Sequence, residues 1–146
     1  MEASFSFCLP REEASVPIVR HLARAVLTEL GVNRDCVDDL ELALTEACTN
    51  VLKHAARLEE DYEVVISIDG EKALFQVCDT GGGFDTKTVS PDPVAVESER
   101  GRGIHLMRAV VDQLGFESAP DKGTVVRFKK DLEFVDDSVV RRLTGA

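Results

Sequence analysis

The sequence predicts an α+β fold, a two-layer sandwich in which a mixed, mostly antiparallel sheet carries helices on one face. Three observations predict it. Two long segments in the first third of the chain repeat apolar residues at helical spacing. Five shorter runs have the composition and alternation of strands. Their order, β-α-α-β-β, then a long loop, then α-β-β, gathers strands from both ends of a 146-residue chain into one layer.

Taken in order, Ser4 to Leu9 places Phe5, Phe7 and Leu9 on alternate positions and reads as a strand that Pro10 ends. From about Glu12 to Leu30, residues Val16, Val19, Leu22, Ala23, Val26, Leu27 and Leu30 recur with helical period, and Gly31 is the stop. Asn33 is a candidate cap for a second helix running to about Arg57, with Val37, Leu40, Leu44, Ala47 and Val51 on one face. Tyr62 to Ile68 and Ala73 to Cys78 are strand-type runs joined by the hairpin signal Asp69-Gly70. Thr80 to Arg100 has three glycines, Pro91 and Pro93 and no apolar periodicity, the pattern of a functional or disordered loop. It is expected to be a mobile lid spanning about 84–102. A third helix is expected to start near Gly103, carrying Ile104, Met107, Val110, Val111 and Leu114, with Gly115 as its stop. Phe116 to Ser118 and Thr124 to Lys129 complete the strands around the turn Pro120-Asp121-Lys122-Gly123.

No repeat or shift in composition divides the chain, so one domain over 1–146 is expected. The hydrophobic content of 44% is enough for a real core. The N-terminus lacks the basic and apolar regions of a signal peptide, and no apolar run is long enough for a bilayer, so the expected location is the cytoplasm, away from membranes. The four cysteines, Cys8, Cys36, Cys48 and Cys78, form no C-x-x-C pair, and a structural role is expected for all of them. A net charge of −10, from 17 basic and 27 acidic side chains, repels a phosphate backbone and argues against direct nucleic-acid binding. It suits a basic protein partner.

Three motifs carry the chemistry. On the second helix, Glu46-Ala47-Cys48-Thr49-Asn50-Val51-Leu52-Lys53-His54-Ala55 puts Asn50 roughly 40° from Glu46 and Lys53 roughly 20° to its other side, on one polar stripe, at about 100° per residue. A carboxylate, an amide oxygen and an ammonium so placed can serve as a base, a metal ligand and a phosphate contact. Magnesium keeps water and phosphate oxygens around it, so one protein oxygen, from Asn50, can suffice. Alone, this stripe is more often a solvated helix face. Asp79-Thr80-Gly81-Gly82-Gly83-Phe84 follows a strand. Asp79 can accept a hydrogen bond from an exocyclic amine such as adenine's, and Gly81 and Gly83 allow close backbone approach, although an ordinary glycine turn has the same composition. Arg100-Gly101-Arg102-Gly103-Ile104 at the mouth of the third helix offers backbone N–H groups and two arginines to an anion, or is simply a loop before a helix. The phosphate-loop and protein-kinase signatures are absent, so a nucleotide site must be of another design.

The order of these motifs resembles the N, G1 and G2 boxes of the GHKL (Bergerat-fold) ATPase/kinase superfamily, and Gly123-Thr124 resembles its last box. The phrases Glu46-Ala47-Cys48-Thr49-Asn50 and Leu106-Met107-Arg108 are similar to the anti-sigma-factor serine/threonine kinases. The resemblance implies an anti-sigma factor that binds ATP and Mg2+ and phosphorylates an antagonist protein. It implies Glu46 as general base, Asn50 as magnesium ligand and Asp79 as reader of the adenine amine, with Thr124 supporting Asp79. It also implies that Gly81, Gly83, Gly101 and Gly103 shape the pocket and lid, that Arg100 reaches the phosphates, and that Lys53, His54 and Ile104 border the nucleotide. Homodimers are common in that family, and the sequence points to no interface. Gly82 between the motif glycines, Arg102, Ile104 in place of leucine, and Lys53, which is commoner in sensor histidine kinases, depart from the pattern. Two other readings stay open: a non-catalytic ATP-binding regulator acting by protein contact, and the ATPase piece of a split histidine kinase.

Overall fold

A computed structural model describes residues 2–54, 61–79, 98–119 and 123–135. Its elements are β1 (Glu2–Pro10), α1 (Ser15–Leu30), α2 (Arg34–His54), β2 (Asp61–Asp69), β3 (Lys72–Asp79), α3 (Ser98–Val110), β4 (Gln113–Ala119) and β5 (Gly123–Asp131). The strands form one sheet in the order β1-β2-β3-β5-β4, and every neighbouring pair is antiparallel. Among the described residues the sheet is thus wholly antiparallel, in keeping with the mostly antiparallel sheet expected. Strands β3 and β4, joined through α3, run in the same direction, but β5 lies between them and pairs with both in the opposite sense.

One face of the sheet carries the core. Tyr62, Val64, Ile66 and Ile68 of β2 and Ala73, Phe75 and Val77 of β3 are buried, while the residues between them are only half-buried. This is the two-residue alternation of a sheet covered on one side. Against it packs α2, through Leu40, Ala43, Leu44, Ala47, Cys48 and Val51, with α1 and α3 flanking it. Phe75 and Phe128 stack across β3 and β5 with ring centroids 5.0 Å apart. Each cross-sheet aromatic pair of this kind adds about 0.5–1.5 kcal/mol beyond its buried area.

The helix signals in the first third act locally. Pro17 falls in the first turn of α1, where a missing N–H costs nothing. Gly31 takes a left-handed φ of 90°, and the N–H groups of Gly31 and Val32 bond back to Thr28 and Leu27. The Asn33 Oδ1 accepts from the Cys36 N–H at 2.9 Å, so Asn33 caps α2 as expected. After β5, Leu132 is buried and Phe134 bridges to Val32, which ties the chain back to the α1–α2 junction.

The third helix departs from expectation at both ends. It begins at Ser98 rather than near Gly103, so residues 98–102 belong to α3, and the rest of the proposed lid lies outside the described residues. It stops at Val110 rather than near Leu114. The Lys130 ammonium donates to the Val110 carbonyl at 2.7 Å, and Asp112 accepts from the Asp131 N–H at 2.6 Å. These contacts turn the chain into β4, where Leu114 pairs with Phe128 and Gly115 with Arg127. A helical period and a buried strand position both satisfy Leu114, and pairing with β5 decides between them. Among the described residues, no helix is long and apolar enough to cross a membrane.

Candidate functional site

The polar stripe of α2 opens outward from the core. Asn50 is buried, Glu46 is half-buried and Lys53 is exposed, while Ala47 and Val51 beside them are buried in the core. His54 is the last residue of α2. Facing this stripe is α3. A Cβ placed on Gly103 would stand 2.9 Å from the Glu46 Oε2 and 3.7 Å from the Asn50 Nδ2. No side chain fits there without moving the Glu46 carboxylate, so Gly103 lets the two helices close on each other at this point. The Asn50 Nδ2 is buried and has no hydrogen-bond partner among the described residues. The two ends of an amide exchange by a half-turn, so either its oxygen or its nitrogen can be turned toward a ligand. A buried polar group left unpaired by the fold costs about 1–3 kcal/mol, which a ligand can recover.

Gly103 is the sixth residue of α3, not a residue ahead of its N-terminus, and Gly101 is the fourth. Arg100 and Gly101 remain among the first four residues, whose N–H groups have no partner within the helix. The sequence puts the start of this helix near Gly103, whereas both glycines lie within α3, where each costs up to about 1 kcal/mol relative to alanine. Ile104, the next residue, is fully buried in the core cluster. Gly81 and Gly83 lie outside the described residues.

Asp79 ends β3, opposite Tyr62 on β2, which in turn faces Leu9 on β1. On its other side, the β3–β5 ladder ends at Cys78 and Val125, which leaves the fully buried Thr124 one step further on, beside Asp79. The sheet thus brings Asp79 and Thr124 together from positions far apart in sequence.

One residue at this end of the sheet had no signal in the sequence. The Arg11 Nη2 lies 2.8 Å from the Asp79 Oδ2, in an ion pair whose side chains are 1% and 3% exposed. Arg11 sits just past the end of β1, where no periodicity marks it. Beside it, Ser15 Oγ contacts the Tyr62 hydroxyl at 2.5 Å and donates to the Glu12 carbonyl at 2.7 Å. Burial pushes the Tyr62 phenol up to about 12, against the opposing pull of the Ser15 hydrogen bond. Burial likewise raises the Cys48 thiol to about 12 and the Cys78 thiol to about 11, so neither is primed as a nucleophile. Cys36 is buried as well, whereas Cys8 is exposed and has no core role.

Residues 9–130 match the histidine kinase-like ATPase domain. The chain belongs to the histidine kinase-like ATPase family. This ATPase domain is 30% identical over 140 residues to the serine-protein kinase RsbW of Bacillus licheniformis, covering 88% of this chain and 86% of the relative. It is 31% identical over 134 residues to the serine-protein kinase RsbW of Bacillus velezensis, covering 85% and 82%. Among solved structures it resembles the RsbU and RsbW domains of Rv1364c from Mycobacterium tuberculosis, with a TM-score of 0.68 at 18% identity. That match covers 91% of this chain and 34% of the other, and it supports the fold.

Proposed function

We propose that this chain is an ATP-dependent serine/threonine protein kinase of the anti-sigma-factor type. In this reading it acts in the cytoplasm, holds a sigma factor inactive, and transfers the γ-phosphoryl group of Mg-ATP to a hydroxyl of an antagonist protein. The observation that carries the reading is the meeting of Glu46, Asn50 and Gly103 where α2 faces α3, with the Asn50 Nδ2 buried and, among the described residues, without a hydrogen-bond partner. The names of the relatives support the kinase assignment.

Phosphoryl transfer asks the protein mainly for positioning and charge neutralisation. Asp79, an acceptor-only carboxylate at the sheet end, receives the amine of adenine, and Thr124 beside it supports the carboxylate. Asn50 supplies the protein's oxygen to magnesium. Magnesium takes most of its remaining ligands from phosphates and water. Magnesium, when bound, neutralises phosphate charge. Glu46 takes the proton of the acceptor hydroxyl, and the absence of a side chain at Gly103 keeps its carboxylate in place. In this reading the first turn of α3, with Arg100 and Gly101, offers the phosphates N–H groups that have no partner within the helix, and Lys53 and His54 border them from α2. Gly81 and Gly83, outside the described residues, are assigned to the pocket by the family resemblance alone.

The test is titration of ATP, with and without magnesium, against wild type and Asn50→Ala, followed by transfer assays with Glu46→Gln on an antagonist of the family's type. Magnesium-dependent binding lost in Asn50→Ala, and transfer lost in Glu46→Gln with binding retained, are the expected results. Failure of the wild type to bind ATP sinks the reading. Binding without transfer to any such antagonist leaves a regulator that acts by contact.

A further inference from the structure

We infer that Arg11 is a positioning residue for the base-reading carboxylate of Asp79, and that it sets the preference for adenine over purines bearing a 6-oxo group. The inference rests on the assignment of Asp79 to the base. The ion pair between the Arg11 Nη2 and the Asp79 Oδ2 spans 2.8 Å and is almost wholly removed from solvent. Arg11 follows the end of β1 and Asp79 ends β3, so the ion pair joins the two strands on either side of β2. The chain that carries it is pinned. The Glu12 N–H bonds the Pro10 carbonyl at 2.8 Å, and Ser15 joins Glu12 to the buried Tyr62 hydroxyl.

Stability is a poor explanation for this arrangement. Buried ion pairs seldom repay the cost of taking both charges out of water. Here the cost is larger still, because the Arg11 Nε and Nη1 are buried without hydrogen-bond partners among the described residues. A fold that needed only to fill this space would do better with an apolar side chain of similar volume. What the guanidinium does provide is a buried cation 2.8 Å from one carboxylate oxygen, an attraction that favours one setting of the carboxylate. A carboxylate is an acceptor only. Adenine offers it an amine donor, whereas hypoxanthine offers a carbonyl oxygen at the same position, which a fixed carboxylate repels. A carboxylate free to rotate away would discriminate less.

The experiment compares the Kd of Mg-ATP with that of Mg-inosine triphosphate by calorimetry, on wild type, Asp79→Asn, Arg11→Met and Arg11→Lys, with a thermal melt of each. Wild type is expected to prefer ATP by at least about 10-fold, the scale of one hydrogen bond to a charged group. Asp79→Asn is expected to lose that preference, Arg11→Met to lose most of it, and Arg11→Lys to fall between. A merely structural role would lower the melting temperature and weaken both nucleotides equally, leaving the ratio at the wild-type value; that ratio in Arg11→Met overturns the inference. Should Arg11→Met fail to fold, Arg11→Lys decides, and a wild-type ratio there overturns it equally. If wild type and Asp79→Asn share one ratio, Asp79 does not read the base, and the inference falls with that assignment. If Asp79→Asn loses the preference while both Arg11 variants keep it, the inference alone falls.

Discussion

Replacing Gly103 with alanine separates the stability of α3 from the geometry of the site. In a helix interior, alanine is favoured over glycine by about 1 kcal/mol, because it has less backbone entropy to lose. The new methyl would stand 2.9 Å from the Glu46 Oε2, so the carboxylate must withdraw by about 0.5 Å to reach ordinary contact at 3.4 Å. That atom is the far end of a half-buried, flexible side chain, so the withdrawal costs little in folding. The Asn50 amide at 3.7 Å needs no adjustment. The expected result is a melting temperature unchanged or raised by a few degrees, the scale of a gain near 1 kcal/mol. Catalysis is more sensitive, since a misplacement on the order of 1 Å can cost 100-fold. Phosphoryl transfer by Gly103→Ala is expected to fall by roughly 10- to 100-fold, with Mg-ATP affinity changed far less. The assay is single-turnover transfer of labelled phosphate beside a calorimetric melt. A variant that melts higher and transfers phosphate at the wild-type rate would refute the assignment of Glu46 as the base. A variant that melts much lower would refute the claim that only a side-chain tip is in the way.

Three other outcomes are expected. Tyr62 is the sole tyrosine in a chain without tryptophan, so tyrosinate absorbance reports this one group. Its phenol is raised by burial from 10.0 to about 12, so the stability it contributes is complete below pH 10 and is lost as the pH climbs toward 12, and ionisation should lag behind that of the urea-unfolded chain. A thiol reagent at pH 8 should label Cys8 first, Cys78 slowly, and Cys36 and Cys48 only on unfolding; peptide mapping over time checks the order. Asn33→Ala removes the acceptor of the Cys36 N–H and should cost about 1 kcal/mol in urea unfolding; an unchanged midpoint would show that the cap is not stabilising.

Much of the framework is local in origin, and the sequence alone determines it. Gly31 ends α1 because only glycine takes a φ of 90° without strain, and Asn33 starts α2 because its side chain reaches the Cys36 N–H three residues on. The alternation in β2 and β3 marks a sheet with one buried face, and helical arithmetic puts Glu46, Asn50 and Lys53 on one stripe. What depends on distant partners is not written in any short window. The close of α3 is set by Lys130 and Asp131, so helical period misplaced its end, and the approach of Gly103 to Glu46 and Asn50 is made across an interface that glycine spacing does not reveal. Whether β3 and β4 touch depends on which strand fills the gap between them, and β5 does. Arg11 belongs wholly to this second class. Nothing in its neighbours gives it a role, and it acquires one only where the ends of three strands are gathered and its guanidinium meets Asp79, 68 positions later in the chain.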